Sequence, residues 1–151
     1  MFDPFEILGL EKSFLLDLRV LDQKYFEMLK KTHPDKFIND ESAKSEVLKK
    51  AGEINKAYGM LKDPLGRASV LLKEAGVKPL DHDPLFLGEI MTFNERMDEG
   101  EDIREELVEL GEELMLELTE AFQEEDYKKA KVALYRLTYV RTLLVSMGDL
   151  R

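Results

Sequence analysis

His33, Pro34 and Asp35 stand consecutively, and no other run in this 151-residue chain concentrates as much chemical capability. An imidazole and a carboxylate could form a general base and its orienting partner, but the proline between them argues against it. It fixes one backbone angle of an exposed turn and leaves no buried pocket around the pair. No nucleophile or set of oxyanion donors accompanies them, and Glu112-Glu113 fits a solvated helix face. The same stiffness suits binding, because the polar side chains flanking Pro34 are held at low entropic cost. They can then compete for hydrogen bonds and ion pairs in another protein. Lys30, Lys31 and Lys36 crowd this turn with positive charge, which steers encounters toward an acidic surface. Binding without catalysis is the expectation, and no enzyme activity is expected.

The rest of the composition removes other chemistries. Cysteine is absent and only His33 and His82 supply imidazole. Disulfides, thiol nucleophiles and Cys-ligated clusters are therefore excluded, and a conventional zinc site is hard to assemble. No metal and no cofactor are expected. Residues 1–80 carry 14 Lys and Arg against 13 Asp and Glu, and residues 81–151 carry 8 against 19. A strongly acidic second half repels a phosphate backbone, so nucleic acid is not an expected partner. No apolar run is long enough to span a bilayer, so no membrane is expected. The start, Met1-Phe2-Asp3-Pro4, has neither the basic-then-apolar pattern of a secretory signal nor the Arg-rich character of a transit peptide. A cytoplasmic protein is expected.

The elements that must position the turn follow from periodicity. Apolar residues recur at three- and four-residue spacings almost throughout, so the chain is expected to be all-α. Phe5, Leu8 and Leu10 belong to a short opening helix stopped by Gly9. Asp17 is the expected N-cap of a second helix with Leu18, Leu21, Tyr25, Met28 and Leu29 on one face. That helix must end near Thr32 or His33, because a proline disfavours helical geometry in the residue before it. After a polar loop of roughly residues 33–40, a third helix turns Val47, Ala51, Ile54, Tyr58 and Leu61 inward. Asp63-Pro64 breaks it, and a short helix carrying Leu65, Ala68, Leu71 and Leu72 ends at Gly76. Residues 76–83 read as a linker. Asp83-Pro84 then reads as N-cap and first-turn proline of a three-helix bundle over residues 84–151. Its helices are expected at about Pro84–Asp98, about Asp102–Glu125 and about Asp126–Met147. The second turns Ile103, Leu107, Leu110, Leu114, Leu118 and Ala121 inward, and the third Ala130, Ala133, Leu137, Val140 and Leu144.

The run from Tyr25 to Phe37, containing Lys30-Lys31-Thr32-His33-Pro34-Asp35-Lys36, resembles the second helix and loop of a J-domain. The run from Ile54 to Ala68 resembles the third helix and exit of the same domain. The resemblance implies a J-domain over residues 1–75: a helical hairpin with short flanking helices. Phe86-Leu87-Gly88-Glu89-Ile90-Met91, leading into an acidic bundle, is similar to the HscB family of J-domain co-chaperones of iron–sulfur cluster assembly. That likeness covers nearly the whole chain. It implies docking on a DnaK/HscA-type ATPase chaperone through the basic second helix and the His-Pro-Asp turn. Asp35 would pair with a basic residue of the chaperone, while His33 and Pro34 hold the turn. The docking set is His33, Pro34, Asp35, Arg19, Lys24, Lys30, Lys31 and Lys36. Hydrolysis would occur in the partner, as a shift of its conformational equilibrium.

A second surface lies on the first bundle helix. Phe86, Ile90, Phe93 and Met97 follow a core-facing spacing, while Leu87 and Met91 sit four apart on another stripe continued by Glu95 and Glu99. From the pattern alone, this pair fits a protein-binding patch or packing against the first domain equally well. The family resemblance implies the former: with Tyr139, these residues match the docking face for an IscU-like cluster scaffold protein. Gly88 and Thr92 depart from that pattern, where a larger apolar residue and an acid are expected. Two alternatives remain beside this reading. One is a general J-protein delivering other clients, although the Gly/Phe-rich and Cys-rich modules common in those are missing. The other is an oligomerisation bundle with an incidental turn.

Overall fold

A computed structural model of the chain describes residues 2–32 and 41–148. Every regular element among the described residues is an α-helix. In order these are α1 (Pro4–Leu8), α2 (Leu18–Lys31), α3 (Glu41–Lys62), α4 (Pro64–Glu74), α5 (Pro84–Asp98), α6 (Arg104–Gln123) and α7 (Tyr127–Ser146). The chain divides into two units, Met1–Leu71 and Leu72–Arg151. No helix among the described residues is long and apolar enough to cross a membrane.

In the first unit, local chemistry sets the helix ends. The Asp3 carboxylate accepts hydrogen bonds from the Phe5 and Glu6 N–H groups at 3.0 and 3.3 Å and caps α1. Gly9 stops that helix at φ +67°, a left-handed conformation that strains any residue with a Cβ. The expected Asp17 cap is present, accepting from the Arg19 N–H at 2.9 Å. The core joins Phe5 and Leu8 of α1, Leu21 of α2, Ile54, Ala57 and Leu61 of α3, and Val70 of α4. Two expectations need correction. Leu18 is 49% exposed, because it is the first residue of α2 and the buried seam begins one turn later at Leu21. In α3, Ala51 and Tyr58 border the core while Ala57 is buried within it.

A polar layer crosses from α2 to α3. Tyr25 donates to Asn55 at 2.6 Å, Tyr58 donates to Asp22 at 2.7 Å, and the two tyrosine rings stack with centroids 4.1 Å apart. The Asp22 carboxylate beside Tyr58 pushes that phenol above its ordinary pKa, so it remains a donor.

Arg67 on α4 is the unit's one buried cation among the described residues. Its Nε donates to the Phe14 carbonyl at 2.9 Å and its Nη1 to the Leu61 carbonyl at 2.8 Å, with the guanidinium 5.4 Å from the Phe14 ring. Leu61 lies in the last turn of α3, where helix geometry leaves carbonyls without an internal partner and the dipole favours a cation. Gly66 makes the approach possible: a Cβ there would stand 2.6 Å from the Met60 carbonyl oxygen.

The second unit is the expected three-helix bundle. Asp83 caps α5, accepting from the Phe86 N–H at 3.2 Å with Pro84 at the first helical position. The second bundle helix is shorter than expected at both ends. The Asp102 carboxylate accepts from the Arg104 N–H at 3.1 Å and so acts outside the helix. At the far end Glu125 takes φ +56°, while the Asp126 and Glu125 N–H groups reach back to the Ala121 and Phe122 carbonyls at 2.8 and 3.2 Å. That closes a Schellman-type turn without glycine. Asp126 then caps α7, accepting from the Lys129 N–H at 3.1 Å. The inward residues fall as expected, except that Phe93 and Met97 of α5 and Leu110 of α6 are half-buried. At the opposite turn Arg96 clamps α5 to the start of α6, pairing bidentately with Glu106 and singly with Glu101. These contacts raise the guanidinium's pKa and lower that of the Glu106 carboxyl.

Candidate functional site

The basic helix α2 carries the described part of the first candidate surface. His33, Pro34, Asp35 and Lys36 lie outside the described residues. Arg19, Lys30 and Lys31 are exposed and Lys24 is half-buried. Arg19 and Lys30 are eleven positions apart, which returns to within about 20° around the axis; Lys24 and Lys31, seven apart, form a second stripe. Among the described residues Arg19 makes an ion-pair contact, 4.0 Å to the Asp17 that caps its own helix, and its side chain is 97% exposed. Lys30 and Lys31 occupy the last turn, where positive charge is favoured by the helix dipole.

The second candidate surface is built on α5 and α7. Met91, Glu95 and Glu99 are exposed and Leu87 is half-buried; Tyr139 on α7 is 36% exposed. Glu99 caps the end of α5 and so stands at its rim. The structure brings α7 to α5 through Phe86, the neighbour of Leu87: its buried ring meets the edge of Tyr139 at 6.5 Å. The Arg136 guanidinium lies 5.2 Å from the same ring and pairs with Asp83, its Nε 2.8 Å from Oδ2. One carboxylate therefore caps α5 and ties it to α7. Arg136, together with the Phe86 N–H, holds that carboxyl below the usual carboxylate range.

The two departures from the family pattern touch each other, with the Thr92 hydroxyl donating to the Gly88 carbonyl at 3.1 Å. A Cβ at Gly88 would meet nothing within 4 Å, so this stretch is small by composition and not for want of room. Tyr135, one turn before Tyr139, was missed by the spacing argument. Its ring centroid lies 5.1 Å from that of Tyr139, and a hydrogen bond with Tyr139 raises its pKa. Leu85, at the start of α5, is 83% exposed. Among the described residues, no group of His, Cys, Asp or Glu could hold a metal ion.

Comparison with known proteins assigns both units. Residues 3–70 match the DnaJ domain family, and residues 82–147 match the family described as the HSCB C-terminal oligomerisation domain. The co-chaperone protein HscB homolog of Mannheimia succiniciproducens is 26% identical over 163 aligned positions, covering 97% of this chain and 94% of that protein. The homolog of Vibrio parahaemolyticus is 36% identical over 104 positions, 65% of this chain and 61% of that protein. Several curated relatives are thus matched over less than two thirds of their own length. The crystal structure of human co-chaperone protein HscB superposes with a TM-score of 0.88 at 27% identity, covering 97% of this chain and 80% of that one. A DnaJ-type unit followed by a helical bundle defines the broad class, a J-protein with its own second module. Within that class the nature of the second module decides, and the chain belongs to the HscB-type J-domain co-chaperones.

Proposed function

We propose that this chain stimulates the ATPase of a DnaK/HscA-type chaperone through His33-Pro34-Asp35 and α2, and delivers an IscU-like cluster scaffold through its second unit. The observation that carries the reading is the pairing, in one chain, of a DnaJ-type unit bearing His-Pro-Asp with an HscB-type bundle. The chaperone-binding set is His33, Pro34, Asp35, Arg19, Lys24, Lys30, Lys31 and Lys36. The scaffold-binding set is Leu87, Met91, Glu95, Glu99 and Tyr139. In this reading a J-domain spans 1–75, a linker 76–83, and a scaffold-binding bundle 84–151. The chain supplies no covalent chemistry and works in the cytoplasm; hydrolysis belongs to the partner, whose equilibrium it shifts.

His33→Gln is expected to abolish ATPase stimulation while helix content by circular dichroism stays unchanged. Full stimulation by that variant would end the reading. The second half has its own test. Leu87→Ala with Met91→Ala is expected to weaken scaffold binding at least tenfold, since apolar anchors typically carry about 1–2 kcal/mol or more each. Intact scaffold binding by the double variant would show that this face is not the scaffold site, whereas no scaffold binding by the parent chain, with normal chaperone stimulation, would leave a general J-protein as the better description. Self-association of the bundle, detected by sedimentation of the chain alone and lost in the same double variant, would favour an oligomerisation role for this face.

A further inference from the structure

Phe26 projects from α2 with 61% of its surface exposed, although it is one of only eight phenylalanines in the chain. Its place on the helix is informative. Seven residues separate it from Arg19 and four from Lys30, so all three share one outward face, within about 40° of arc. Leu21 and Met28, which face the core, lie on the opposite side. The ring does not stand alone. Tyr25 touches it with centroids 5.7 Å apart, and Tyr25 is fixed from beneath by its hydrogen bond to Asn55 and its stack on Tyr58. An aromatic ring supported by a fixed neighbour loses little freedom on binding, which is the quality that makes an anchor residue effective.

Resting on the chaperone-docking reading above, we infer that Phe26 is the apolar anchor of that docking face, set between the Arg19 and Lys30 charges. The matching surface on the DnaK-type partner is an apolar pocket rimmed by carboxylates. Charge complementarity selects this occupant: the two cations flanking the ring disfavour a basic or neutral partner and steer an acidic one. The cations then set the encounter rate and the ring sets the residence time. The face is also continuous with Lys30 and Lys31, which lead directly into the His-Pro-Asp sequence.

The test measures ATPase stimulation of purified HscA by the full chain across a concentration series, at low and at high salt. Phe26→Ala is expected to raise the half-maximal concentration about tenfold at both salts, Phe26→Leu to recover most of it, and neither to lower the melting temperature. Lys30→Ala is expected to lose less, with a deficit that shrinks at high salt. An unchanged half-maximal concentration for Phe26→Ala, with stimulation still abolished by His33→Gln, overturns the inference and leaves the docking reading standing. If His33→Gln also stimulates normally, both fall. A Phe26→Ala effect confined to sedimentation of the chain alone assigns the face to a second copy and overturns the inference too.

Discussion

Arg67→Met is expected to destabilise the first unit by about 3 kcal/mol, which for a unit of this size lowers its melting temperature by roughly 12–24 °C. The reason lies in what the guanidinium touches. Replacing a buried ion by an apolar residue can be neutral when its partner is a side chain that can be replaced as well. Here the partners are the main-chain carbonyls of Phe14 and Leu61, which every variant keeps. Methionine fills similar volume, so packing changes little and the lost guanidinium bonds dominate: the Leu61 carbonyl loses its side-chain donor, at about 1–3 kcal/mol, while the Phe14 carbonyl keeps the Leu16 N–H at 3.0 Å and loses about 0.5–1.5 kcal/mol. Burial draws the Arg67 pKa downward, partly opposed by Asp63, yet an arginine remains charged at neutral pH. Arg67→Lys keeps the charge but offers no planar fork, so it should satisfy one carbonyl and fall between the two. Hydrogen exchange of α1–α3 amides in the full chain reads the first unit separately. A loss of protection below about 0.5 kcal/mol, the range of ordinary surface substitutions, would show that solvent takes over both carbonyls.

Arg67 also marks where a sequence stops being legible. Its partners stand 53 and 6 positions away and are backbone atoms, so no residue pattern announces them. What could be read was local. The caps at Asp17 and Asp83, the Gly9 stop and the inward face of α7 each follow from residues within one or two turns. The helix boundaries at Arg104 and Gln123 were misjudged by two residues, because Asp102 serves as an external acceptor and Glu125 takes a conformation usually left to glycine. The candidate surfaces divide the same way. The stripe Leu87, Met91, Glu95 is a periodicity within one helix and was visible. The contact of Tyr139 with Phe86 joins residues distant in sequence, and only the resemblance to a family suggested Tyr139 for this surface. Phe26 escaped because apolar residues are read as core by default, and on α2 the core seam was already filled by Leu21, Tyr25 and Met28.

Asp83 and Arg136 carry the corresponding weight in the second unit, and their loss is expected to show in both stability and scaffold affinity. Arg136→Met leaves a carboxylate that is only 9% exposed with the Phe86 N–H as its remaining partner. Breaking such a pair from one side costs about 2–3 kcal/mol, since the stranded charge keeps its desolvation penalty. Asp83→Asn keeps a capping oxygen and removes the charge, so it should cost less, about 1–2 kcal/mol. The pH dependence identifies the group. Arg136 first, and the Phe86 N–H and the nearby His82 in addition, depress the folded-state pKa of Asp83. Its stabilisation is therefore fully present above the unfolded value of about 3.9 and is lost as pH falls from there through the lower folded value. The stability gap between parent and Asp83→Asn, measured by urea unfolding, should hold constant from pH 7 to 5. Below about pH 4 it should shrink by up to about 1.4 kcal/mol per pH unit. A gap that persists undiminished at pH 3 would mean that the carboxylate's charge is not what binds α5 to α7. Because the pair also sets Phe86 against Tyr139, Arg136→Met should weaken scaffold binding while leaving HscA stimulation by the chain alone intact. A parallel loss of both would point instead to global unfolding.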